Sequence, residues 1–285
     1  MMRLAILGPG LLGGSIALAA RQRGGFHTAL WARRAEAVRE IQSLEIADRA
    51  SDQLRPIVSD ADFIVLCVPI GVMPALAREI APMIQPAAIV TDVGSVKGCV
   101  AEALAPIFRE RGRFVGSHPM AGSEQTGIRA ARADLFDGAV CLVTPDASSD
   151  RAAVLEVRSF WEKLGCSLTE LPPAEHDEIV AQISHFPHLL AATLVESVAA
   201  ENAQAFDYSG PGFRDVTRIA SGHPGMWAEI LHSNRQAVRK SAEAMIEKLR
   251  EIVTLLDREA PMTEFLTQAK GRRDRLRLPK SNTDV

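Results

Sequence analysis

Gly8-Pro9-Gly10-Leu11-Leu12-Gly13 has the spacing G-x-G-x-x-G. It follows a short apolar run, residues 3–7, and opens an Ala/Leu-rich stretch of helical character, residues 11–23. In that context each glycine has its own task. The first permits a tight turn, the second lets backbone approach a pyrophosphate, and the third lets the helix pack on the strand. The unpaired N–H groups and the dipole at the helix start then attract the negative charge. The expectation is a dinucleotide cradle rather than a purely structural turn. Val68 and Pro69 close a central apolar run at residues 62–68 and are assigned to the same cofactor-binding face.

The end of the second expected strand, residues 27–31, should carry an acid if ribose hydroxyls are to be bound. Ala32 stands there instead, followed by Arg33 and Arg34. A guanidinium is planar and permanently charged, which suits the 2′-phosphate of NADP. The competing reading makes both arginines the solvated start of the next helix. NADP is expected, with NAD also possible.

Histidines are the candidate proton carriers, because the imidazole pKa lies near operating pH. His118 follows an expected strand at residues 114–116, and doubly wound sheets place ligands just beyond the carboxyl ends of strands. His185 and His188 either line a site or merely cap a helix; for His185 the two readings stand level.

These residues need a frame. Apolar runs at residues 3–7, 27–31, 62–68, 88–92, 114–116 and 139–144 read as strands. Stretches of helical period at residues 11–23, 35–43, 72–84 and 96–111 alternate with them. That alternation implies a doubly wound parallel sheet of the Rossmann type. Past Leu171-Pro172-Pro173 no strand is expected, and residues 174–203, 226–256 and 262–270 read as helices. The expected domains are therefore a dinucleotide-binding part, residues 1–170, and an all-helical substrate-binding and dimerisation part, residues 171–285. Residues 189–200 (LLAATLVESVAA) are apolar on nearly every face, which is expected to bury them against a second copy in a homodimer.

Four strings resemble the prephenate/arogenate dehydrogenase family: TDVGSVK at 91–97, GSHPMAGSE at 116–124, SHFPH at 184–188 and GFRDVTRIA at 212–220. With the glycine turn, the resemblance runs from Arg3 to about residue 235. It implies a Rossmann domain followed by a helical dimerisation domain. It also implies oxidative decarboxylation of prephenate, or of its amino relative arogenate, on the route to tyrosine. By motif, His118 matches the catalytic histidine, and Ser95 a serine near both the nicotinamide and the reacting hydroxyl. Arg218 matches the arginine that binds a substrate carboxylate. His188 and Glu124 match polar residues lining the substrate pocket, and Asp215 and Trp227 residues near its wall. Bland readings stand beside these: Arg218 and Arg214 as surface arginines, Trp227 as core, Glu124 as a first-turn helix acid. Ala32 departs from the family pattern and bears on the cofactor, not on the reaction. Aromatisation of the ring drives the decarboxylation, so no metal is expected. β-Hydroxyacid dehydrogenases and imine reductases share the architecture. The former usually rely on a lysine at the start of the second domain, and residues 174–201 hold none.

Composition narrows the remaining classes. The 285 residues carry a formal net charge of -3, are 47% hydrophobic, and contain no run of membrane-spanning length. Neither a nucleic-acid nor a membrane partner is expected, only a small-molecule substrate. The four cysteines are scattered, without a CxxC pair, and the N-terminus starts directly in a strand, so a cytoplasmic location is expected.

Overall fold

The computed structural model describes residues 1–109, 113–122 and 125–276. Its first part alternates β1 (Met2–Leu7), α1 (Leu11–Arg23), β2 (Phe26–Trp31), α2 (Ala35–Ser43), β3 (Arg49–Ser51), α3 (Arg55–Val58), β4 (Phe63–Leu66), α4 (Met73–Ile80), β5 (Ile89–Asp92), α5 (Gly98–Phe108) and β6 (Arg113–Phe114). The six strands form one parallel sheet in the order β3-β2-β1-β4-β5-β6. Side chains of a strand alternate between faces, and here both faces are covered. Leu4, Ile6, Phe63 and Val65 pack with Ile16 and Ala20 of α1. Their neighbours Ala5, Leu7, Ile64 and Leu66 pack with α4 and α5 through Leu76, Ile80 and Leu104. The strand order reverses between β1 and β4, so the loops leaving these two strands open a crevice.

A second, three-stranded sheet follows: β7 (Gly116–Pro119), β8 (Val140–Thr144) and, after α6 (Arg151–Lys163), β9 (Ser167–Glu170). β7 runs antiparallel to β8, and β8 parallel to β9. Sequence reasoning did not anticipate α6, β3 or β9. The two strands are short and polar (RAS and SLTE), without the apolar run that marks a central strand. Helix α6 is held by its own cap, the Asp150 side chain accepting from the Ala152 and Ala153 N–H groups at 2.7 and 3.3 Å. It packs Phe160 on Phe63 at 4.5 Å between ring centroids.

Beyond residue 170 the described residues are helical: α7 (Pro173–Val180), α8 (Phe186–Asn202), α9 (Pro211–Thr217), α10 (Pro224–Ser233), α11 (Arg235–Val253) and α12 (Glu259–Arg273). Two stretches expected to be continuous are broken. A π turn at Ala181–His185 separates α7 from α8, beside Pro187, which has no N–H to give to a helical ladder. Asn234 interrupts the stretch at 226–256 with φ -105° and ψ 25°. Short helix α9 lies between α8 and α10. Within a single copy, α8 leaves Leu190 and Leu194 39% and 37% exposed, so one chain does not bury it on every side. No helix among the described residues is long and apolar enough to cross a membrane.

Beneath the crevice, Lys97 and Asp92 form a fully buried ion pair. The Lys97 ammonium also donates to the Ser117 carbonyl at 2.8 Å, and the Asp92 carboxylate accepts the Gly94 N–H at 2.8 Å. Removing one partner of a buried pair strands the other charge. Lys97→Met should therefore lower the unfolding free energy by about 3–5 kcal/mol, read from the urea midpoint. Adding Asp92→Asn should restore part of that loss. An unchanged midpoint in the single variant would mean that the pair supports nothing.

Candidate active site

At the end of β1 the backbone of Gly8 adopts φ 125°, a conformation that favours glycine, and a Cβ there would collide with the Cys67 carbonyl at the end of β4. A Cβ on Gly13 would overlap the Gly8 carbonyl, so this glycine lets α1 pack against the turn. Around Gly10 the Cβ direction is open, with nothing within 4 Å. Gly10 caps α1 without any side-chain hydrogen bond, so the first N–H groups of the helix remain available to a ligand. The open space at Gly10 and the uncapped start of α1 fit a pyrophosphate. Pro9, Leu11 and Leu12 are half-buried along it; Val68 is half-buried and Pro69 exposed at the β4 end.

Ala32, just past β2, is fully buried, and its N–H is taken by the Ser51 carbonyl at 3.1 Å. Arg33 and Arg34 are exposed beside it, with Arg34 capping α2. No acid stands at this strand end.

His118 lies on β7, half-buried. Its Nδ1 is 2.9 Å from Nε2 of His176, whose Nδ1 is 2.8 Å from Oδ1 of Asp177. The Asp177 carboxylate also accepts the Lys97 and Gly98 N–H groups at the start of α5, at 2.7 and 2.8 Å. Its backbone carbonyl accepts from Asn234 Nδ2 at 2.8 Å, and the same nitrogen is 3.1 Å from His185 Nδ1. Ser95 is half-buried in the turn that the Asp92 carboxylate holds after β5. His188 stacks on Trp227, with centroids 3.6 Å apart and planes 11° from parallel, against Gly222. The Glu229 carboxylate of α10 accepts the Gly71 N–H, tying the loop after β4 to the helical part.

The structure therefore joins His118 to the seam between sheet and helices, and pairs His188 with Trp227. Asp215 on α9 and Arg218 just after it are exposed. Glu124 lies outside the described residues. Sequence reasoning missed His176, Asp177, Asn234 and Glu229. The one signal available was an adjacent His-Asp pair three residues past Pro173, at the junction itself.

Burial dominates the electrostatics. It pushes the His118 imidazole well below its usual 6.5, and the nearby His176, Lys97 and His185 add to this when charged. His176 and His188 are lowered by burial as well. The site thus holds neutral histidines at pH 7, able to accept a proton.

Comparison with known proteins finds matches to both parts of the chain. Residues 16–170 match the family described as prephenate dehydrogenase, nucleotide-binding domain, and residues 172–268 match prephenate dehydrogenase, dimerization domain. The prephenate dehydrogenase of Bacillus subtilis (strain 168) is 33% identical over 283 residues, 96% of this chain and 76% of that protein. The structure of A. aeolicus prephenate dehydrogenase in complex with hydroxyphenyl propionate and NAD+ superposes with a TM-score of 0.90 at 30% identity, covering 96% of this chain and 97% of that one. Synechocystis arogenate dehydrogenase superposes with a TM-score of 0.84 at 31% identity, covering 96% and 99%.

The buried histidines have a consequence for stability. His185 is held at about 4 by burial, against the opposing pull of Asp177. In the unfolded chain it titrates near 6.5, so between these values the unfolded state binds more protons. Its contribution is present above pH 6.5 and is lost as pH falls toward 4. From pH 7 to pH 5 His185 alone should remove about 2 kcal/mol of stability. Urea midpoints at the two pH values check this, and His185→Gln should flatten the slope.

Proposed function

The chain belongs to the prephenate/arogenate dehydrogenase family, an NAD(P)-dependent dehydrogenase by that membership, and we propose that it converts prephenate to 4-hydroxyphenylpyruvate in tyrosine biosynthesis. The observation that carries the reading is His118, neutral and half-buried on β7 of the second sheet, with its Nδ1 2.9 Å from His176 at the seam with the helical part. Prephenate bears a ring hydroxyl, a ring carboxylate and a pyruvyl side chain. When bound, the nicotinamide supplies the hydride acceptor. His118 accepts the hydroxyl proton, and the O–H electron pair becomes the C=O bond as the hydride leaves. The ring carboxylate then departs as CO2 and the ring becomes aromatic. Ser95 orients the hydroxyl and Arg218 holds a substrate carboxylate, for which a fork of N–H donors is well shaped. His188, its plane fixed by Trp227, lines the pocket; by motif, Asp215 and Glu124 are also assigned to substrate binding. The pyrophosphate rests on residues 8–13, with Val68 and Pro69 on the same face.

Residues 1–170 form the dinucleotide-binding domain in this reading, and residues 171–285 the substrate and dimerisation domain. The exposed Leu190 and Leu194 of α8 support a homodimer through the helical part. The scattered thiols, buried or half-buried and unpaired, support a cytoplasmic setting. Arogenate is the second reading, favoured by the likeness to Synechocystis arogenate dehydrogenase.

Absorbance of the reduced cofactor, followed with prephenate, arogenate and a 3-hydroxyacid in turn, tests the assignment. Prephenate is expected to give the highest kcat/KM, and no turnover with either ring substrate would overturn the reading. His118→Asn should lower kcat by about 10²–10⁴-fold while cofactor binding persists. Activity close to wild type in that variant would remove His118 from its role.

NADP is the proposed cofactor. Ala32 supplies no carboxylate to bind the ribose diol or to repel a 2′-phosphate, and Arg33 and Arg34 are exposed beside it. A charge-assisted bond to phosphate is stronger than a neutral one. NADP should therefore be used at least as well as NAD, and Ala32→Asp with Arg33→Ser should reverse the order. A wild-type preference for NAD of about tenfold, or about 1.4 kcal/mol, would show the arginines to be surface charge.

A further inference from the structure

The chain of contacts from Asp177 through His176 to His118 has a direction, which can be worked out from its far end. The Asp177 carboxylate accepts from the Lys97 and Gly98 N–H groups and faces His176 Nδ1. Burial raises its pKa, but these donors outweigh burial and hold it below the usual carboxylate range. It is therefore ionised at neutral pH and can only accept. His176 Nδ1 must then carry the hydrogen in the 2.8 Å bond. A neutral imidazole has one N–H, so His176 Nε2 is an acceptor, and His118 Nδ1 must donate to it across 2.9 Å. That leaves His118 Nε2 with the lone pair.

We propose that His176 and Asp177 are positioning residues that hold His118 in the Nδ1–H tautomer and share the positive charge it acquires in the reaction. The inference rests on the reading of His118 as the base. The substrate O–H bond breaks, its proton bonds to His118 Nε2, and its electron pair forms the ketone as hydride departs to the nicotinamide. The resulting imidazolium keeps its Nδ1–H on His176, whose own N–H rests on the Asp177 carboxylate. The surroundings make this support necessary. His176 when charged, Lys97 at the start of α5 and His185 in the π turn each oppose a cation on His118, so His176 supports that cation only as the neutral acceptor, and Cys141 on β8 is a neutral thiol. Among the described residues, the anions that act on His176 are Asp177, which faces its Nδ1, and Asp92, already paired with Lys97. The chain is also rigid. Asp177 is bonded to α5 through its carboxylate and to Asn234 through its carbonyl, and His176 is fully buried.

Nitrogen-15 spectra of histidine-labelled holoenzyme read the tautomer directly, with His118→Asn assigning the resonance. Wild type should show His118 protonated at Nδ1 and bare at Nε2. His176→Phe should shift the ring toward the Nε2–H form and lower kcat by about 10²-fold, with KM and cofactor Kd within about threefold of wild type. His176→Gln offers an amide oxygen to His118 and an N–H to Asp177, so it should restore the tautomer and about tenfold in kcat. An Nε2–H tautomer in wild type overturns the proposal, and that spectrum decides even where a variant fails to fold. So does a folded His176→Phe enzyme with wild-type kcat. If that variant is active while His118→Asn is dead, the relay falls and the assignment of His118 stands. If His118→Asn is itself active, the functional reading falls first.

Discussion

The carboxylate of Asp177 is where the two parts of the molecule become one chemical object. Helix α5 has no side-chain cap of its own; its starting residue, Lys97, is turned instead toward buried Asp92. Asp177, arriving from the first helix of the next part, supplies the missing acceptor to the Lys97 and Gly98 N–H groups. An anion at a helix start is stabilising in itself. Here it also sets the distance between the sheet's carboxyl edge and the helices packed over it. The TDVGSVK turn is thereby held from below by one carboxylate and from the side by another.

Three helix starts in the first part are handled in three ways. Helix α6 is capped by its own Asp150, α5 by a residue some 80 positions away in sequence, and α1 by no side chain at all. The α6 cap is local, the α5 cap ties two parts of the chain together, and the α1 start, beside the open Gly10, leaves N–H groups free to meet negative charge. The same economy governs the histidines. Burial keeps them uncharged and Lys97 is paired with Asp92, so a proton arriving at His118 is met through His176, whose other ring nitrogen faces the Asp177 carboxylate.

Much of the frame was legible in the sequence because it is written in local patterns. The glycine hexapeptide, the wholly apolar FIVL strand and the change of pattern at Leu171-Pro172-Pro173 each follow from a few neighbouring residues. What escaped was non-local or weakly marked. Strands β3 and β9 owe their pairing to β2 and β8 rather than to any hydrophobic signal. His176 and Asp177 look like ordinary polar residues in the first turns of a helix, and their meaning arises only when β7 and α5 are brought beside them. Ala32 with its two arginines was readable as a missing acid, and its full burial accords with a strand end that offers no carboxylate.

The π turn between α7 and α8 has a bearing on how this chain tolerates change in length. A π turn accommodates one residue more than an α-helical turn, and each residue of a helix advances its phase by about 100°. His176 and Asp177 lie before that turn, and His188 after it. Removing a single residue within 181–185 would leave a smooth, locally sound helix and swing the His188 face away from Trp227, while His118 kept its partners. The turn is thus a phase-setting element, whose length fixes which face of α8 meets Trp227.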